Sequence, residues 1–163
     1  MGLEQWGVRM KLLDCILYVA GIGILSNVVG ALIPRKWLHA DRFPFRVYRW
    51  EHLGQFYVKL GIRKWKDKVP DMSKILPWLY PKKVERSPAD GNLQRLIQES
   101  CVAELIHWLL IVTSLGVVKI WPGKWGWFVW LLCWGGNLPF IFIQRFNRPR
   151  FVRMLDRMQA GKA

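Results

Sequence analysis

Acidic residues are scarce in this chain: 11 Asp+Glu stand against 25 Lys+Arg in 163 residues, giving a formal net charge of +14. Cysteine is scarcer, with three residues in no paired or metal-type spacing, which excludes a disulfide-stapled secreted domain. The signatures of the usual soluble catalytic machines are missing too: there is no Gly-x-Ser-x-Gly elbow, Walker loop, dinucleotide fingerprint or His-x4-Asp pair. What is abundant is hydrophobic side chain, 52% of the residues, with 11 Trp. That aromatic content excludes disorder. A nucleic-acid binder would account for the charge, but not for apolar runs of roughly 20 residues, the length that crosses a ~30 Å hydrocarbon core. The composition points to a small all-α integral membrane protein with one membrane domain and no nucleic-acid partner.

Three apolar runs define the expected spans: 12–33, 101–121 and 125–143. The first is too long for a signal-peptide core and leads into Ile33-Pro34-Arg35 without a small-residue cleavage pattern, so it reads as retained. Only Pro122, Gly123 and Lys124 separate the other two, which demands a helical hairpin with Trp121, Trp125 and Trp127 at the interface. Cations decide the orientation. The segment 34–100 carries 15 of the Lys and Arg residues, and the tail 144–163 adds Arg145, Arg148, Arg150, Arg153, Arg157 and Lys162. The positive-inside tendency therefore predicts a multi-pass membrane protein, N-terminus outside and C-terminus cytoplasmic.

The segment 34–100 is expected to lie on the cytoplasmic surface as one or two interfacial helices. Trp50, Leu53, Tyr57 and Leu60 recur at helical spacing, while Arg49, Lys59, Arg63, Lys64, Lys66 and Lys68 supply a basic face that suits anionic membrane lipids. Beyond Pro70, Pro77, Pro81 and Pro88 predict irregular chain, and Asp90 or Asn92 is placed to start a helix that continues into the second span.

Ionisable groups are expensive in hydrocarbon, about 2.5–3.5 kcal/mol on insertion scales, so those within or beside the spans mark candidate function. Glu99, Glu104 and His107 open the second span, with Glu104 and His107 one turn apart; Asn137, Gln144 and Arg145 follow along the third. With Glu51 and His52 they belong to the predicted cytoplasmic half. Three readings of Glu104-x-x-His107 stay open. The carboxylate can orient the imidazole as a general base, it can form half of a di-metal site whose second motif the chain lacks, or it can sit in a buried ion-pair cluster with an arginine such as Arg145.

At these residues the chain resembles a known family. Glu104-Leu105-Ile106-His107-Trp108 preceded by Glu99, Gln144-Arg145-Phe146-Asn147-Arg148-Pro149-Arg150 preceded by Asn137 and Pro139, and Arg63-Lys64-Trp65-Lys66 downstream of Glu51, Gly54 and Phe56 are similar to blocks of the glycosyl-4,4'-diaponeurosporenoate acyltransferase family of small bacterial membrane proteins. The resemblance covers roughly residues 30–155. It departs from the family at Ser100-Cys101-Val102, which replaces a threonine and a polar or basic pair, and at Phe146, which replaces a tyrosine.

The resemblance implies transfer of a fatty acyl group onto a hydroxyl of a glycosylated, isoprenoid or carotenoid-like lipid. No bound cofactor or metal is implied, and the acyl donor would be acyl-CoA or acyl carrier protein. His107 would act as base, oriented by Glu104. Arg145, Arg148 and Lys66 would face donor phosphates or the oxyanion, and Asn137 or Gln144 the sugar, with Glu51, Trp65, Glu99 and Asn147 also around the substrate. The alternative from another class is a non-catalytic subunit that binds or transports lipids with anionic or polyprenyl-phosphate headgroups. The oligomeric state is left open by a weak Ser26-x-x-x-Gly30 spacing.

Overall fold

The computed structural model describes residues 2–69 and 90–161. It is all-α, with no strand among those residues. The prolines at 70, 77, 81 and 88 and their expected irregular segment lie outside the described residues.

Three helices carry the long apolar runs: α1 (Gly2–Leu32), α4 (Asp90–Thr113) and α6 (Lys124–Ala160). Between α1 and α4 lie 3-10 turns at Arg35–Trp37, Arg49–Gly54 and Lys66–Lys68 and two short α-helices, α2 (Gln55–Lys59) and α3 (Ile62–Trp65). A 3-10 turn at Ser114–Gly116 and α5 (Val117–Ile120) complete the order. Three stretches are long and apolar enough to cross a membrane: Trp6–Leu32, Gly91–Ile120 and Lys124–Ala160. The third contains the whole run 125–143 and extends past it; the first two begin earlier than the runs 12–33 and 101–121 and end one residue short of them. α4 starts at the expected Asp90, and α6 continues past the apolar run, through Pro139 and Pro149, to Ala160.

The interfacial segment differs from one amphipathic helix. His52, Leu53 and Gly54 all have positive φ (45°, 55° and 93°), and so has Gly61 (70°). Left-handed residues end a right-handed helix, so the 3–4 spacing of Trp50, Leu53, Tyr57 and Leu60 is spread over separate short turns. Only Tyr57 of the four is buried.

The chain forms two compact units. One comprises Met1–Leu32 and Leu105–Leu138, the other Ile33–Glu104 and Pro139–Ala163. In the first, Cys15, Val117 and Trp121 form the buried centre, with Tyr18, Val19, Val129 and Trp130 packed around it. Tyr18 Oη donates to the Thr113 carbonyl at 2.8 Å and Trp130 Nε1 to Ile111 O at 3.1 Å, satisfying carbonyls where α4 gives way to the 3-10 turn. Large apolar side chains such as Ile16, Leu17, Ile24, Leu25, Phe128 and Leu132 stand outward and exposed, the surface expected of helices whose outer solvent is hydrocarbon. In the second unit, Tyr57, Ile62 and Phe146 are buried beneath Phe56, Val58, Trp65, Phe142 and Ile143.

Candidate functional site

In the second unit a buried set of charges gathers around two arginines of α6. Arg145 donates through Nε to Glu51 Oε1 at 2.6 Å and through Nη2 to Glu51 Oε2 at 2.8 Å. Its Nη1 reaches Glu104 Oε1 at 2.6 Å and Pro44 O at 3.2 Å, and Nη2 also reaches Arg46 O at 3.1 Å. A guanidinium has five N–H groups, and all five are used. Arg148, one turn on and 2% exposed, donates to Glu104 Oε2 (2.6 Å), Ser100 Oγ (2.8 Å), Ser100 O (2.9 Å) and Phe45 O (2.9 Å). Two carboxylates thus balance two guanidinium groups out of water, the condition under which a buried ion network is stable.

Each Glu51 oxygen takes two bonds. Tyr57 Oη adds a 2.5 Å contact to Oε1, and the Tyr48 amide a 2.7 Å contact to Oε2. Burial by itself would raise the Glu51 carboxyl, but the bonds from Arg145, Tyr57 and the Tyr48 amide outweigh it and hold the pKa below the usual carboxylate range. Burial, then the neighbouring carboxylate, pushes the Tyr57 phenol upward. The local backbone makes this possible: the left-handed turn at 52–54 reverses the chain so that Glu51 and Tyr57 point at one guanidinium. Gly54 suits this turn because its φ of 93° is a conformation that side-chain-bearing residues rarely adopt.

The other predicted site residues of this unit are dispersed around that cluster. Glu99 is held by Arg35 through Nε and Nη2 at 3.0 and 3.1 Å. Lys66 pairs with Asp67 at 2.8 Å on the surface, and Trp65 Nε1 caps Leu60 O at 3.2 Å. Gln144 is 5% exposed, and its side chain has no hydrogen bond among the described residues. Asn147 is half-buried.

In the first unit, His107 Nδ1 lies 2.8 Å from Asn137 Oδ1. The Asn137 amide is oriented by its Nδ2, which donates to Cys133 O at 2.8 Å one turn back on α6. With Oδ1 therefore the acceptor, the hydrogen-bond geometry places an imidazole proton on Nδ1. Sequence spacing proposed Glu104 for this orienting task. Glu104 has both oxygens bonded to arginines, as in the ion-pair reading of that residue, and Asn137 bonds the ring at Nδ1. Nothing in the sequence links positions 107 and 137 except the hairpin that folds α6 back beside α4. Among the described residues no three His, Cys, Asp or Glu side chains gather in a potential cation site.

A buried, charge-balanced network and a histidine bonded to Asn137 belong to a helical protein with three candidate membrane spans. Residues 34–157 match the family described as glycosyl-4,4'-diaponeurosporenoate acyltransferase, and the chain belongs to that family, which places it among acyltransferases. Relatives named glycosyl-4,4'-diaponeurosporenoate acyltransferase from Staphylococcus aureus strain MRSA252 (28% identical) and from strains RF122 / ET3-1 and USA300 (27% each) align over 142 residues, 86% of this chain and 86% of theirs. No solved structure matches the chain.

Proposed function

We propose that this protein transfers a fatty acyl group from acyl-CoA or acyl carrier protein to a hydroxyl of a glycosylated, carotenoid-like membrane lipid. Family membership supports the reaction class, and the names of the relatives support the glycosylated acceptor. The observation that carries the chemistry is the 2.8 Å His107–Asn137 bond with Asn137 itself anchored to Cys133 O. His107 Nε2 takes the proton of the acceptor hydroxyl as its oxygen attacks the thioester carbonyl. The tetrahedral intermediate then expels the thiolate, which recovers the proton from the imidazolium, leaving an ester and a thiol.

Arg145 and Arg148, with their donors committed inside the fold, act by holding the loop 44–57 against α4 and α6. Arg63 and Lys64 provide exposed positive surface suited to phosphates of the donor or to anionic lipid, with Lys66 beside them and paired to Asp67. Gln144, buried with an unpaired amide, is the candidate for a sugar hydroxyl, because such a group costs about 1–3 kcal/mol when left unsatisfied. Within the second unit, Glu51 and Glu99 hold Arg145 and Arg35. The bacterial relatives support a location in the bacterial cell membrane, and the cation distribution favours the N-terminus outside and the C-terminus cytoplasmic.

The direct test is purified protein in bilayer nanodiscs with an isotope-labelled acyl-CoA and lipid extract. Labelled ester on a glycolipid is the expected product. Tight lipid binding without product would instead favour a carrier.

A further inference from the structure

The first unit contains a cavity of about 210 Å³ that no step above uses. Its walls come from Ile22 and Gly23 of α1, Leu110 of α4, and Cys133 and Gly136 of α6, with Asn137 and Ser114 also in the lining. The two polar side chains among these are already engaged. Ser114 Oγ donates to Ile111 O at 2.8 Å, and Asn137 joins His107 Nδ1 to Cys133 O through its two amide atoms. What the cavity offers a ligand is therefore apolar surface, and it suits a group that needs no hydrogen bond. Gly136 is exposed, so the cavity opens on that side to the surrounding phase, which is hydrocarbon for spans of this kind.

Position selects the occupant. Leu110 lies one turn beyond His107 on α4, and Asn137, which bonds the His107 ring, borders the cavity itself. From His107 the lining continues on α4 as far as Ser114, ~10 Å at the ~1.5 Å rise per residue of a helix. On α6 it runs back from Asn137 to Cys133, so both helices carry it from the histidine toward the Pro122 turn. In the orientation proposed above, that is the direction from the cytoplasmic side into the membrane. An acyl chain is bonded to the carbonyl that reacts and must start beside the base, whereas the apolar part of a glycosylated acceptor stands a sugar ring away from its reacting hydroxyl. The volume is below the roughly 300–1,000 Å³ of sites that enclose whole small ligands, which fits a slender chain and not a ring system.

The two glycines keep this space open. A Cβ at Gly23 or Gly136 would meet nothing within 4 Å, so helix packing leaves room there for a larger side chain, which would take up the cavity. We infer that the cavity holds the transferred acyl chain beyond its carbonyl, and that Gly23 and Gly136 set the chain length the protein accepts. The inference rests on the acyl-transfer reading above and adds to it the residues that select the donor.

The test uses the full chain in nanodiscs and a palmitoyl-CoA with a diazirine near its methyl end, cross-links being mapped by mass spectrometry. Label is expected within residues 19–23, 110–114 and 133–137. Gly23→Leu and Gly136→Leu should each lower it at least about tenfold with the unfolding temperature retained, since one surplus methylene in an apolar pocket is worth roughly 10–200-fold. Gly135→Leu, next to Gly136 but outside the lining and equally free of contacts, should label as wild type does. In turnover with lipid extract, the two lining variants should lose at least about tenfold in kcat/KM for palmitoyl-CoA and keep that for octanoyl-CoA. Equal labelling of the same residues by a phosphatidylcholine carrying the same diazirine would show a general lipid crevice, and an equal loss in Gly135→Leu a nonspecific effect of bulk; either overturns the inference. So does label absent from the cavity. A wild type labelled there, with both substitutions removing the label but no acyl group transferred, keeps the chain site and removes the acyltransferase reading. An active enzyme whose chain-length profile is the same in wild type and both lining variants does the reverse.

Discussion

Glu104→Gln separates a structural carboxylate from a catalytic one. The glutamine keeps the shape but leaves Arg145 and Arg148 buried against a single remaining carboxylate, Glu51. Breaking a buried pair in this way costs about 3–5 kcal/mol, so the variant should unfold at clearly lower temperature in detergent, with or without substrate. A variant of normal stability and reduced turnover would return Glu104 to the chemistry. Glu51 brings a pH dependence with a definite sign. Its folded pKa lies below the value of an unfolded-chain carboxyl, about 4.3, so its contribution is complete above that value and disappears as pH falls through the folded-state pKa. A melting-temperature series from pH 7 to pH 3 should therefore decline at the acid end, and Glu51→Gln, already less stable at pH 7, should flatten the decline. The sequence made the pairing of Glu104 with an arginine visible, because a carboxylate in an apolar helix needs a cation. It did not reveal Glu51 or Ser100 as members, since 94 and 48 residues separate them from Arg145 and Arg148 and no local spacing records such contacts.

Glycine sets the close approaches between elements. A Cβ at Gly116 would be driven into the Tyr18 ring, 2.6 Å from Cζ, and one at Gly126 would meet the Trp121 carbonyl and Val118 Cα. Gly116→Ala should displace Tyr18 and cost its bond to Thr113 O, a loss of about 1–3 kcal/mol by overpacking, read as a lower unfolding temperature. Tyr18→Phe, which removes only the hydroxyl, should cost less, about 1 kcal/mol. Hydropathy located all three long helices because hydrocarbon requires about 20 apolar residues whatever the tertiary contacts are. It could not find their outer ends, as α6 proceeds through Pro149 on polar, basic sequence. The interfacial segment does hold short helices, but the spacing of Trp50, Leu53, Tyr57 and Leu60 does not mark a single one, because periodicity reports side-chain spacing whereas Gly54 and Gly61 change the hand of the backbone between matched positions.

For the whole molecule, the cation asymmetry and the catalytic assignment are tested separately. Single cysteines placed after Arg150 in a background lacking the three native cysteines should be labelled only from the cytoplasm, and a cysteine at Pro122 only from outside. Labelling of both from one compartment would contradict the orientation.

The central claim is that His107, its tautomer set by Asn137, is the base in acyl transfer. The measurement is single-turnover transfer from labelled acyl-CoA to the glycolipid by wild type and His107→Gln, with acceptor binding and thermal unfolding followed on the same samples. The chemical rate should fall at least about a hundredfold in the variant, the usual contribution of a general base, while binding and unfolding temperature stay close to wild type. A His107→Gln protein that transfers acyl groups at the wild-type rate would contradict the account.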